Sequence, residues 1–256
     1  MGQRALDVAI DAAREAGAAI RGFYKDAHII KDKGEDNPLT DADLASDAIL
    51  ADRLRTAFPD HGWLSEESVD EPSRLGKSAV WIVDPLDGTK EFTLGIPEFV
   101  VSIGLVVDGQ PVLGVLYNPI KNELFAGEVG QGASFNGDPC HVTDHATLDR
   151  ARIVCSRTEM KKGMFDAWKS QISLLPVGSV AYKFAQVGAG FAEATFTPQP
   201  RNEWDIAGGV AFVLAAGGLA SNRHGTPYLF NRTNPLVDGV CATNGRIHSA
   251  ILGLMA

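Results

Sequence analysis

The sequence predicts an α/β protein of the α+β kind, with layered sheets and helices rather than a simple doubly wound sheet. Three observations carry that expectation. Amphipathic helical patterns open the chain, short apolar runs with turn residues fill its middle, and mixed helical and strand patterns close it. No repeat or clean linker interrupts the 256 residues. A single domain over residues 1–256 is expected, of two lobes with an approximate boundary near 150.

Each element follows from its pattern. Leu6, Ala9, Ile10, Ala13, Ala16, Ile20 and Phe23 form one helical stripe over residues 3–26. A polar loop follows at 31–38. Thr40 with Asp43 three residues on has the form of a helix cap, and the second helix runs to about Phe58, before Pro59-Asp60-His61-Gly62. Ala79–Val83 and Phe99–Val107 read as strands. Asp108-Gly109 then joins the second to Pro111–Tyr117, a hairpin signal. Glycines at 127, 130, 132 and 137 mark turns around a further short strand. A strand at Arg152–Cys155, helical segments near 161–172, 179–190 and 205–217, and a strand pair at 218–221 and 239–242 complete the chain.

Composition bounds the function. The chain is 45% hydrophobic, 21% charged and 8% aromatic, which argues against a disordered protein. Its net charge of −9 argues against a nucleic-acid polymer or an anionic membrane as the main partner, though bound metal ions can still bring a small anion to it. The longest weakly polar run, Val210–Ala220, is too short to span a bilayer. Three scattered cysteines, Cys140, Cys155 and Cys241, and no signal-peptide pattern lead us to expect a cytoplasmic protein without disulfides.

The chemistry gathers at three places. Asp84-Pro85-Leu86-Asp87-Gly88-Thr89 follows directly on a strand, and strand ends are where ligands collect in layered α/β proteins. Thr89 and the N–H groups after it open a short helix of the kind that receives phosphate. Glu66-Glu67 forms a second acidic site, and Trp204-Asp205-Ile206-Ala207-Gly208-Gly209 a third. Taken singly, these read as a turn, a pair of solvated loop acids and a helix N-cap at Asp205. Together they offer oxygen ligands for a hard cation such as Mg²⁺, and a polynuclear carboxylate site suits attack of water on a phosphate ester.

At these residues the chain resembles the inositol monophosphatase superfamily, the Mg²⁺-dependent, lithium-sensitive phosphomonoesterases. The resemblance covers essentially the whole chain and implies an αβαβα sandwich. It implies that Glu66, Asp84, Asp87, Asp205 and the carbonyl of Leu86 hold two or three Mg²⁺ ions, with Asp84 bridging two of them. Glu67 matches a further, weaker metal position. Thr89 paired with Asp43 matches the hydroxyl–carboxylate couple that orients and deprotonates the attacking water. A threonine hydroxyl accepts from that water only if its own proton goes elsewhere, and a carboxylate takes it. Glu66, Leu86, Asp87, Gly88, Thr89 and Asp205 then also bound the substrate, a small phosphorylated molecule. The family is commonly dimeric, which implies a homodimer.

Within that family, Lys90-Glu91-Phe92 resembles the CysQ-like 3′(2′),5′-bisphosphate nucleotidases of sulfur metabolism, which hydrolyse adenosine 3′,5′-bisphosphate to AMP and phosphate. Inositol-type members tend to carry a glutamate seven residues before the Trp-Asp aspartate, and here Pro198 stands there. Arg201 suits a second phosphate, since arginine binds one bidentately. Ser179 and Lys183 are the other candidates, against a plain reading as helix cap and solvated lysine. Ala181 and Val180 stand where CysQ-like members commonly place serines. The nucleotidase is therefore the expected activity, with an inositol-1-phosphate or broad sugar-phosphate phosphatase as the alternative. A non-catalytic metal- or nucleotide-binding protein is the distant third, disfavoured because Asp43, Glu66 and Thr89 are all present.

Other motifs fall away. Gly76-Lys77-Ser78 lacks the first glycine of a phosphate-binding loop, and no cysteine has an arginine six residues on. His141 and His145 have helical spacing without a helical stripe or a third ligand.

Overall fold

The computed structural model describes residues 2–24, 29–32 and 38–255. The N-terminal stripe forms α1 (Gly2–Phe23), with Ala5, Ala9, Ala12, Ala13, Ala16 and Ile20 buried. β1 (Ile29–Asp32) and β2 (Pro38–Thr40) pair antiparallel and take in residues 31, 32 and 38 of the polar loop predicted at 31–38. Residues 33–37 of that loop, and 25–26 of the predicted first helix, lie outside the described residues. α2 (Asp41–Ala57) begins as its sequence dictates. Thr40 Oγ1 accepts from the Ala42 N–H at 3.2 Å, and the Asp43 carboxylate accepts from the Thr40 N–H at 2.8 Å.

The next elements are β3 (Gly62–Ser65), β4 (Ala79–Asp87), α3 (Thr89–Thr93), β5 (Val100–Val107), β6 (Gln110–Asn118), β7 (Glu123–Glu128), β8 (Gly132–Phe135) and β9 (Asp138–Cys140). Their seven strands form one sheet in sequence order, parallel between β3 and β4 and antiparallel beyond. The hairpin falls at Asp108-Gly109, both at positive φ as such a two-residue loop needs.

The last part of the chain contributes β10 (Arg152–Cys155), α4 (Arg157–Lys161), β11 (Ser173–Pro176), α5 (Val180–Gly188), β12 (Ala194–Thr197), β13 (Arg201–Asn202), α6 (Glu203–Ala215), β14 (Leu219–Ser221), β15 (Leu236–Val237), β16 (Val240–Thr243) and α7 (His248–Met255). A five-stranded sheet of order β11-β10-β12-β16-β14 results, and β13 pairs with β15. The helix predicted near 161–172 is not continuous. Ser156 caps α4 early, Gly163 adopts φ +76, and only a 3₁₀ turn at Asp166–Trp168 follows.

Five layers follow from the burial pattern. Trp81 and Val83 of β4 face the core shared with α1 and α2, whereas Val80 and Ile82 face the opposite way, onto Ile206, Ala207 and Val210 of α6. This period-two alternation, buried on both faces, makes the large sheet an inner layer. α5 and α6 fill the space between the two sheets. On the far face of the small sheet, Ile153, Phe196 and Cys241 pack with Phe165, Ile247 and Ile251. The order is helix, sheet, helix, sheet, helix. No described helix is long and apolar enough to cross a membrane.

One contact fixes the middle of this stack. Gly104 of β5 lies opposite Gly114 of β6, and α6 presses its Gly208 onto that pair. A Cβ on Gly104 would stand 2.8 Å from the Gly208 nitrogen, and one on Gly114 would overlap the Gly208 carbonyl oxygen. Helix backbone meets sheet backbone here because none of the three residues carries a Cβ. We expect Gly114→Ala to lower stability by about 1–3 kcal/mol in urea unfolding, as an overpacked core does. Gly253→Ala, at an exposed position of α7 with open space around it, should change stability little or raise it by up to about 1 kcal/mol.

Candidate active site

The end of β4 is irregular, and that irregularity aims its acids. Asp84 pairs with Ser102 and Asp87 with Val100, so three residue steps on β4 face two on β5. An extra residue of this kind bends a strand and redirects its side chains. Pro85, which has no N–H to contribute, sits inside it. The Leu86 N–H donates to Asp84 Oδ1 at 3.0 Å, and Ser46 Oγ of α2 donates to the Pro85 carbonyl at 2.7 Å. Gly88 turns the chain at φ +103 into α3. Asp84 and Asp87 are both buried.

The third acidic motif arrives with α6. Its N-cap is Asn202, not Asp205. Asp205 is the third helical residue and accepts from the Asn202 N–H at 2.9 Å, the reciprocal half of a capping box. The helix starts two residues before the predicted 205, because Glu203 and Trp204 already lie in it. Since the glycine contact seats α6 on the sheet, Asp205 reaches the end of β4. Glu66 comes from the turn after β3, the parallel neighbour of β4. One carboxylate oxygen from each of Glu66, Asp84 and Asp205 lies within 4.8 Å of the others. Glu67, partly buried beside Glu66, donates its N–H to Ser65 Oγ at 3.3 Å.

Such crowding raises carboxyl pKa values. Burial, then the charges of Glu66, Asp87, Asp205 and Asp43, push Asp84 well above its ordinary range. Burial, then Asp87 and Glu66, push Asp205 up to about 8. Burial likewise lifts Asp87, to about 6, against hydrogen bonds from Ser179 and the Ala181 N–H. All the donors are hard oxygens, buried at Asp84 and Asp87 and partly buried at Glu66 and Asp205, and the acids repel one another. That set fits a divalent cation such as Mg²⁺, which offsets the repulsion that protons otherwise relieve. Glu66, Asp84 and Asp205 would hold it, with Asp87 and the Leu86 carbonyl beside them.

Beside this cluster, Thr89 Oγ1 lies 2.9 Å from Asp43 Oδ1 and 3.0 Å from the Leu86 carbonyl oxygen. Asp43 is buried, which raises its pKa, and its other oxygen accepts from Thr40 through both N–H and hydroxyl. Asp43, the capping-box partner of Thr40, therefore also receives the Thr89 hydroxyl.

The residues expected to form a second-phosphate pocket are otherwise engaged. Ser179 caps α5, accepting from the Tyr182 N–H at 2.9 Å, and its hydroxyl donates to Asp87 Oδ2, as does the Ala181 N–H. Lys183 is not the solvated lysine of the plain reading. It is buried, and its Nζ donates to the Ser179 carbonyl. Arg201 Nη2 donates to Glu159 Oε1 at 2.9 Å and Nη1 to the Pro200 carbonyl at 2.8 Å. Glu159, buried and also accepting from Thr197 Oγ1 at 2.7 Å, is absent from the sequence reading. The Ser156-Arg157-Thr158-Glu159 spacing resembles a capping box and could have drawn attention to it. Nothing in the sequence signals its pairing with Arg201, 42 residues away.

A model of the inositol monophosphatase family matches residues 2–255. The chain belongs to that family. It is 35% identical to inositol monophosphatase 2 of Solanum lycopersicum, over 98% of this chain and 97% of that one. It is 32% identical to the Nus factor SuhB of Escherichia coli K12, over 98% and 95%. The solved IMPase of Thermotoga maritima superposes with a TM-score of 0.86 at 29% identity, covering 98% of this chain and 96% of that one. Membership makes the chain a phosphatase-family protein. The relatives' names favour the inositol-phosphate alternative over the bisphosphate nucleotidase expected from Lys90-Glu91-Phe92.

The raised carboxyl groups set a pH dependence. The metal-free folded chain keeps protons on Asp87 and Asp205 that the unfolded chain releases near pH 4. The stability contributed by these two groups is therefore full below about pH 4 and is lost as pH rises through about 6 and about 8. We expect the metal-free Tm to fall between about pH 5 and about pH 8, and Mg²⁺ to raise Tm more at the higher pH. A Tm response to Mg²⁺ that is equal at both would contradict the assignment.

Proposed function

We propose that this chain is a Mg²⁺-dependent phosphomonoesterase acting on the monophosphate of a small polyol, with inositol 1-phosphate as the representative substrate. One observation carries the reading: the Glu66–Asp84–Asp205 cluster lies beside a threonine hydroxyl backed by a buried carboxylate. Bound Mg²⁺ supplies charge neutralisation at the phosphoryl oxygens and Lewis acidity toward water. The chain's own residues do the rest. Asp43, pinned by Thr40, takes the Thr89 proton, which leaves the Thr89 oxygen free to accept from water. That hydrogen bond orients the water for in-line attack on phosphorus and carries its proton away. The caps and the bulge hold these groups before substrate arrives, so little reorganisation is left for the reaction itself.

The cation balance of the pocket supports a monophosphate. Glu159 neutralises Arg201, and Lys183 is turned onto a backbone carbonyl, so neither offers a free charge to a second phosphate. The nucleotidase reading keeps Lys90-Glu91-Phe92 and Pro198 in its favour.

Measuring kcat/KM for both substrates in Mg²⁺ separates them. We expect inositol 1-phosphate to be preferred by at least about tenfold over adenosine 3′,5′-bisphosphate. The opposite preference would establish the nucleotidase, and no phosphate release from either would leave a binding protein. Thr89→Ala should lower kcat by about 10²–10⁴-fold while Thr89→Ser retains most of it.

A further inference from the structure

Lys183 occupies a position that several physical preferences oppose. It stands in the first turn of α5, where the helix dipole disfavours a cation, and it is 7% exposed. Its side chain runs back toward the helix start, as the Cα–Cβ direction of a helix allows, and Nζ donates to the Ser179 carbonyl at 2.5 Å. Ser179 is itself unusual, a non-glycine residue at φ +58 and ψ 135. Strain of that kind persists only where the surroundings over-determine it. Here the constraints are three: the Ser179 hydroxyl on Asp87, the Tyr182 N–H on that hydroxyl, and Lys183 on the carbonyl.

We infer that Lys183 is a positioning residue for Asp87. By gripping the Ser179 carbonyl it holds the strained turn that points both the Ser179 hydroxyl and the Ala181 N–H at Asp87 Oδ2. One carboxylate oxygen is thereby fixed by the protein and the other is left for a cation. The inference rests on the reading of Asp87 as part of a cation site, and it differs from the second-phosphate role expected of Lys183. Partners one step behind a metal ligand commonly govern metal affinity by about 10–100-fold.

The test titrates Mn²⁺ alone into the full chain by calorimetry and electron paramagnetic resonance, without substrate. A failure of the phosphatase reading therefore leaves it interpretable. Lys183→Met should weaken Mn²⁺ binding by at least about tenfold, and Lys183→Arg, which keeps a donor, should stay within about threefold of wild type. Charge alone works the other way, since removing a lysine beside a cation site tightens cation binding. In an Asp87→Asn background, Lys183→Met should add less than about twofold, because the group it positions is already altered. If Lys183→Met does not fold, Lys183→Gln takes its place with the same loss expected, its amide ending one bond short. Unchanged Mn²⁺ affinity with a raised KM would overturn the inference in favour of substrate contact. So would an equal loss in the Met and Arg variants with lowered Tm, which marks packing alone.

Discussion

The backbone contact of α6 with the large sheet is what the site depends on. Gly104, Gly114 and Gly208 carry no side chain of their own where they meet, and the helix start comes to the end of β4 with Asp205 aboard. The cost is electrostatic. At 4.8 Å and an effective dielectric near 20, two like charges repel by about 3 kcal/mol. Glu66, Asp84 and Asp205 make three such pairs, so full ionisation would consume much of the roughly 5–15 kcal/mol that holds a domain folded. Protons or a cation must relieve it, and at neutral pH a cation does so while leaving the carboxylates able to act as ligands.

Ordinary folding devices build the rest of the site. Asp43 is the third residue of a capping box and also the acceptor for Thr89. Asp205 has the same place in α6. A strand irregularity aims Asp84 and Asp87, and the cap of α5 orients one oxygen of Asp87. Asp43, Asp84, Asp87 and Asp205 are thus each held by a bond that also belongs to a local turn or cap. The groups stay in place without substrate, which favours catalysis by pre-organised charge.

The sequence makes some of this legible and hides the rest, for physical reasons. Asp84-Pro85-Leu86-Asp87-Gly88-Thr89 and Trp204-Asp205 stand out because special backbone positions demand particular residues. The Thr40–Asp43 cap and the Asp108-Gly109 hairpin do so for the same reason. β3, β11 and β12 are only four residues each, too short for periodicity to distinguish from loop. Gly163 reads as an interruption that a helix could tolerate, until its positive φ shows that the chain turns there. The roles of Lys183 and Arg201 were hidden most deeply. A basic residue near a phosphate site reads as a phosphate ligand, and only tertiary structure brings Glu159 to Arg201 and the Ser179 carbonyl to Lys183. The preference for a bisphosphate substrate came first from Lys90-Glu91-Phe92 and Pro198, and the second-phosphate reading of Arg201 and Lys183 supported it.

The central claim is that the carboxylates at the end of β4 exchange protons for a divalent cation. Calorimetric titration of Mg²⁺ into the metal-free chain near pH 7, in two buffers of different ionisation enthalpy, counts the protons released. The account requires saturable binding with at least about one proton released, the number falling as pH is raised above about 8. Binding with no proton release near pH 7, or no binding at all, would contradict it.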